Sequence, residues 1–423
     1  MRRLAISIVL LFAFALHAQD APMEPGKYVG ASSCANAGCH GSTLPLNATR
    51  IRQNEYFTWL SNDRHAQAYN VLFDNRSARI VKNMRLTKKA YQESLCLDCH
   101  STNVPATAVA VRIDPEDGVQ CEACHGPASG WRGEHTQAGW THEQSVARGM
   151  YDQRDLRVRA HGCDHCHLGD ATRQVDHELI ASGHPLLAFE LDNYSETMPA
   201  HWNPNATHGV RAWATGAATK FRDALDNLAR HARGEKWPEF SDMACANCHH
   251  DLRNSQWRQV RGWPGRAGLP AWSAQHWAVV RLIVAKTSPQ ARAKLDELLP
   301  QLASRVARMN DPAGVAQAAE NARRAIADAI PSIDRINWSD AEVRALMTAI
   351  AEDRGPIIAD LQSAEQAALS LQSLATSLTR RNPRLVRGPM MRAIDALFAD
   401  LQNRDDYDPA RFAEKLQAVK SAL

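Results

Sequence analysis

Cys121-Glu-Ala-Cys124-His125-Gly126-Pro127 is the stretch that decides how this chain folds. Cysteines three positions apart lie on one side of a single helical turn, and the next residue ends that turn beside them. The same arrangement recurs as Cys96-Leu-Asp-Cys99-His100, Cys163-Asp-His-Cys166-His167 and Cys245-Ala-Asn-Cys248-His249. A wider version, Cys34-Ala-Asn-Ala-Gly-Cys39-His40, opens the series. These five motifs use all ten cysteines of the 423-residue chain.

Two cysteines followed at once by histidine form the attachment signature of c-type haem. The thiols make thioether bonds to the porphyrin, and the adjacent imidazole binds iron from one face. Structural zinc sites need paired motifs and do not require a histidine after the second cysteine. Disulfides would not place a histidine after every pair either. The sequence therefore predicts five c-type haems. Their thiol anchors are Cys34, Cys39, Cys96, Cys99, Cys121, Cys124, Cys163, Cys166, Cys245 and Cys248, and their proximal ligands His40, His100, His125, His167 and His249.

Working outward, the predicted fold is mainly α, with three parts. Met1-Arg2-Arg3 and the apolar run to Ala18 read as a signal peptide over residues 1–18, which implies a periplasmic protein with no stable membrane insertion. Residues 19–266 are rich in Cys, His, Gly, Pro and Trp, as expected of short helices and loops wrapped around five haems. Residues 267–423 contain no cysteine and turn helical. There Asp311-Pro312 marks a helix start ahead of Val315, Ala319, Ala322, Ile326 and Ile330. Ser339 to Glu342 is a capping box before Val343, Leu346, Met347 and Ile350, and Asp408-Pro409 opens a last helix with Phe412, Leu416 and Val419 on one face. These stripes predict a helical bundle, most simply packed on itself, with a lid, a docking surface or an oligomer contact as alternatives. A net charge of +3 gives no reason to expect nucleic-acid binding.

The second axial ligands are harder to read. A second imidazole makes an iron six-coordinate and suited to electron transfer, whereas an empty position offers a substrate site. His65 is expected on a short helix, in Asp63-Arg-His65-Ala-Gln-Ala-Tyr69. His135 follows the chain reversal at Gly126 to Gly130. His177 and His184 flank Glu178 to Gly183, with Pro185 read as a first helical residue. His201 and His250 complete the candidates. His142, His161, His165, His208, His231 and His276 are expected to be bystanders.

Gly118-Val-Gln-Cys121 through Glu134-His135, together with the early His65 segment, resembles the cytochrome c554 family, the tetrahaem electron carriers of ammonia oxidisers. The resemblance spans about 28–169. It implies that His65 and His135 are distal ligands, each to a haem other than the one nearest in sequence. It also implies a five-coordinate, high-spin second haem on His100. The fifth motif and the Asp176 to Trp202 segment depart from that pattern, and the added histidines offer a ligand for the second haem.

The leading expectation is thus a carrier passing electrons between redox partner proteins. The alternative is an oxidoreductase acting on a small nitrogen or sulfur compound at one open iron. Against it, no Cys-x-x-Cys-Lys of the kind pentahaem nitrite reductases usually carry occurs. Five motifs also fall short of hydroxylamine oxidoreductases. Tyr194, Arg211 and His208 would be candidate pocket residues for such an enzyme.

Overall fold

The structure is a computed structural model describing residues 26–46, 51–202, 209–234, 236–249, 269–273, 275–385 and 388–423. The predicted signal segment, His208 and His250 lie outside the described residues. Among the described residues the chain is mainly helical, with two isolated bridges, Tyr28 to Val109 and Met243 to Trp272, and no longer strand.

The first region is built from short helices: α1 (Glu55–Asn62), α2 (Asn75–Asn83), α3 (Ser94–His100), α4 (Cys121–His125), α5 (His142–Ala147), α6 (Leu156–His167), α7 (His177–Ala181) and α8 (Leu191–Thr197). Helices α3, α4 and α6 each end on the histidine of a Cys-x-x-Cys-His motif. A helical turn brings both thiols to one side, so each helix presents two thiols and an imidazole together.

Two sequence expectations are corrected here. His65 is not helical. Asp63 stops α1, its backbone N–H donating to the Trp59 carbonyl at 3.0 Å, and residues 64–69 continue as turns. The turn lets the Asp63 side chain fold back onto His65. Pro185 does not open a helix either. Residues 184–190 run without regular structure until Glu190 caps α8, its carboxylate accepting from the Asp192 and Asn193 amides.

The rest is long helices: α9 (Val210–Arg233), α10 (Gln275–Thr287), α11 (Pro289–Arg308), α12 (Pro312–Asp334), α13 (Asp340–Glu352), α14 (Leu361–Arg381), α15 (Pro389–Leu401) and α16 (Pro409–Ser421). Their starts follow the caps legible in sequence. Asp311 accepts from the Gly314 amide, Ser339 and Glu342 close a capping box, and Asp408 accepts from the Ala410 and Arg411 amides. Val315, Ala319, Ala322, Ile326, Val343, Met347, Phe412, Leu416 and Val419 all have no exposed surface. Each large one contributes about 1.5–3 kcal/mol by leaving water.

Helix α9 is the seam between the two regions. Trp213, Phe221 and Leu225 are fully buried in the core shared with the C-terminal helices, where α9 lies along α12. Small residues on both helices, among them Ala214, Ala218, Ala319 and Ala322, let the axes approach. The other side of α9 receives α6 and α8. A Cβ at Gly216 would meet the Leu191 side chain at 2.6 Å, so glycine sets that close approach.

Candidate haem-binding sites

Glycines first position the motif helices. Gly118 has φ +67, and a Cβ there would lie 2.5 Å from the His65 carbonyl oxygen. Glycine therefore lets the segment leading into α4 lie against the His65 turn, where the Val119 amide donates to His65 O at 2.9 Å. Gly126, at φ +79, turns the chain directly after His125, with the Gly149 carbonyl and the Tyr151 ring where a side chain would go. Inside the motif, Glu122 is 1% exposed. Its carboxylate accepts from the Val29, Gly30 and Ala128 amides and clamps the start of the described chain to α4.

The structure brings ten of the predicted axial histidines into five facing pairs. Their ring centroids are 6.2 Å apart for His40 and His135, and 6.5 Å for His100 and His184. They are 6.3 Å apart for His125 and His201, 6.1 Å for His167 and His65, and 6.3 Å for His249 and His177. Each pair joins one motif histidine to one histidine from elsewhere in the chain. Two imidazoles bound to opposite faces of one metal have centroids about 6 Å apart, from bonds of about 2 Å and a nitrogen-to-centre distance of roughly 1 Å. The spacing fits an iron and the flat macrocycle around it.

Other histidine contacts do not fit. His161 and His165 have centroids only 4.6 Å apart on α6, and each ring is held by a carboxylate, Asp223 and Asp170 respectively. His142 and His231 likewise bond to Asp152 and Asp242. Among the described residues, no group of three His, Cys, Asp or Glu side chains could hold a bare metal ion. Two imidazoles leave four equatorial donors to be supplied, which a porphyrin does.

Burial prepares the rings for this. It pushes the His125 and His167 imidazoles down to about 4, and His184 and His201 also move downward. At neutral pH His125 and His167 are therefore uncharged and keep a nitrogen lone pair for metal. Around His167, the Phe189 ring stacks at 4.7 Å and Tyr194 meets it edge-on. Phe240 packs edge-on against His177. Sequence reasoning missed these walls, and also the carboxylates behind two rings: Glu55 behind His40 and Asp63 behind His65. An acidic residue two positions before His65 was the only local signal.

The cysteines show which motifs are neighbours. No two of the ten are joined by a disulfide. The Cys34 thiol neighbours that of Cys121, and Cys99 that of Cys166, and these neighbours together with burial push Cys121 and Cys99 upward. The first motif thus abuts the third, and the second abuts the fourth. Helices α4 and α6 pack together, which sets the third motif beside the fourth. His177 and His184 sit seven positions apart on α7 and the turn after it, placing the fifth pair near the second.

Residues 33–126 match the family model described as cytochrome c554 and c-prime. That stretch is cytochrome c554-like. The cytochrome c554-like stretch contains the first three motifs and His65, and covers the smaller part of the chain. The match supports a multihaem cytochrome involved in electron transfer, with covalently bound c-type haem iron and redox partner proteins. Comparison with curated proteins and with solved structures returns no match. No helix among the described residues is long and apolar enough to cross a membrane.

Two of the residues considered for an enzyme pocket are engaged with neighbouring segments. The Tyr194 hydroxyl donates to the Ala188 carbonyl, and the Arg211 guanidinium pairs with Asp334 at 2.9 Å. His208 lies outside the described residues.

Proposed function

We propose that this protein is a periplasmic electron carrier that holds five c-type haems, every iron closed on both faces by imidazole. The observation carrying this reading is the pairing of all five motif histidines with a second ring at 6.1–6.5 Å. When bound, haem iron supplies a one-electron couple between its ferric and ferrous forms. The chain's part is to hold two ligands rigidly on each iron, so that little rearranges when the charge changes.

His184 is central to the choice between carrier and enzyme. The resemblance to cytochrome c554 implies an open iron on His100, but the His184 ring faces His100 at 6.5 Å. Its Nδ1 bonds to the Pro185 carbonyl and that of His100 to Ala68 O, so both rings are fixed in orientation. With no open iron, the oxidoreductase alternative lacks a place for a small substrate.

The thiol contacts and helix packing support a continuous row: the sites of His40, His125, His167 and His100 in that spatial order, continuing to His249. His177 and His184 are only seven positions apart in the chain, with the turn after α7 folding back through the His184 amide to the Leu179 carbonyl, which supports neighbouring positions for the last two irons. The apolar stripes of α12, α13 and α16 face inward, which supports a packed helical domain bracing the haem region through α9 over an oligomer contact. The N-terminal segment read as a signal peptide supports export.

The test is electron paramagnetic resonance of the oxidised holoprotein and carbon monoxide addition to the reduced form. Low-spin signals alone and no carbon monoxide binding are expected. His184→Ala should then bind one carbon monoxide per chain. A high-spin iron that binds carbon monoxide in the unaltered protein would overturn the reading.

A further inference from the structure

Among the described residues, two of the ten paired imidazoles carry a carboxylate on Nδ1. Asp63, 4% exposed, accepts from both the backbone amide and Nδ1 of His65, each at 2.9 Å. Glu55, the first residue of α1, accepts from His40 Nδ1 at 3.1 Å. Its other oxygen is held by the Arg52 and Gln53 amides at 2.9 and 3.1 Å, so the carboxylate is fixed in place. His100, His135 and His184 instead meet neutral carbonyl oxygens, of Ala68, Arg132 and Pro185. Among the described residues no carboxylate hydrogen-bonds to His125 or His201.

The difference has a chemical consequence. A carboxylate accepting Nδ1–H draws the proton toward itself and makes Nε2 a stronger donor. Ferric iron, with one more positive charge, gains more from that donor than ferrous iron does, so the oxidised state is favoured and the potential falls. A neutral carbonyl acts in the same sense but more weakly. The hydrogen bond also fixes the tautomer, leaving the lone pair on Nε2.

We infer that Asp63 and Glu55 are positioning residues that set two potentials low, at the site of His65 with His167 and at the site of His40 with His135. The site of His125 with His201 lies between these two in space, through the Cys34 to Cys121 contact on one side and the α4 to α6 packing on the other. It therefore takes the electron most readily of the three, and a single electron entering this end of the row comes to rest there. The row is a well rather than an even slope. This inference rests on the axial pairing proposed above.

The experiment is a spectroelectrochemical titration of the intact holoprotein and of Asp63→Asn and Glu55→Gln, each of which keeps the shape and an acceptor oxygen but removes the charge. Each variant should raise one midpoint, changing the oxidised-to-reduced ratio of one haem about tenfold at fixed potential. For a one-electron couple that is about 59 mV. The low-spin resonance of the same haem should persist. A purely structural carboxylate would alter stability and leave every midpoint in place, and unmoved midpoints in both variants would overturn the inference. His65→Met separates the two levels of argument. If it changes one haem spectrum while Asp63→Asn moves nothing, the tuning idea alone fails; if it changes no haem spectrum, the pairing itself fails.

Discussion

Replacing Glu122 by alanine removes a carboxylate that three buried peptide groups depend on. Its Oε1 accepts from the Val29 amide at 3.0 Å and the Ala128 amide at 2.8 Å, and its Oε2 from Val29 at 3.0 Å and Gly30 at 2.7 Å. Val29 is 3% exposed and Ala128 1%, so water does not readily take the vacated positions. Each buried N–H left without an acceptor costs about 1–3 kcal/mol, which for three groups gives roughly 3–9 kcal/mol. Against this, the folded state no longer keeps a carboxylate out of water, a cost of several kcal/mol. Taking several kcal/mol off the middle of that range leaves a net expected loss of about 2–4 kcal/mol. The loss is local, so the sharpest assay is native-state hydrogen exchange of the Val29, Gly30 and Ala128 amides in the holoprotein, alongside denaturant unfolding followed by circular dichroism. Those three amides should lose protection far more than amides in α12. Equal protection in the variant, with unfolding shifted by less than about 1 kcal/mol, would refute the reasoning.

Gly118→Ala forces a side chain onto a backbone at φ +67, with its Cβ 2.5 Å from His65 O; a loss of about 2 kcal/mol or more is expected, together with a changed spectrum at the haem facing His65. An unchanged melting temperature and spectrum would count against that close approach. Burial pushes the Asp170 carboxyl up, but hydrogen bonds from His165, Thr172 and Arg173 outweigh it and hold the group well below the usual range. A carboxyl depressed on folding stabilises above its unfolded value, about 3.9, and loses that contribution as pH falls further. The native protein should therefore exceed Asp170→Asn in stability at pH 7, with the gap closing below about pH 4; a gap independent of pH would contradict it. Phe412→Ala empties a fully buried site on α16 and should cost about 3–5 kcal/mol in thermal or denaturant unfolding, without moving any haem midpoint.

Much of the molecule is legible in local sequence because its causes are local. A cysteine pair and the histidine after it occupy one helical turn, so α3, α4 and α6 end on the residues that the motifs foretell. The caps at Asp311, Ser339 and Asp408 are likewise short-range hydrogen bonds, and the apolar stripes of α12, α13 and α16 follow helical period. Where a local signal was ambiguous, surroundings overrode it. Pro185 fits a helix start but lies in an irregular run, because the chain there carries His184 out to face His100 and holds its ring on the Pro185 carbonyl. His65 leaves the helix for a turn in which Asp63 can reach back to it.

The sequence by itself determined the ten candidate thiol anchors, the five motif histidines beside them and the helical character of the chain, since each is written within a few residues. It could name the remaining candidate imidazoles but not match them. Only the tertiary structure decided that His40 faces His135, His65 faces His167 and His100 faces His184. Partners seventy or more positions apart meet because glycine turns at Gly118 and Gly126, the Glu122 clamp and the α9 seam bring distant segments together. Such contacts have no local period to read, and on them depends whether any iron stays open.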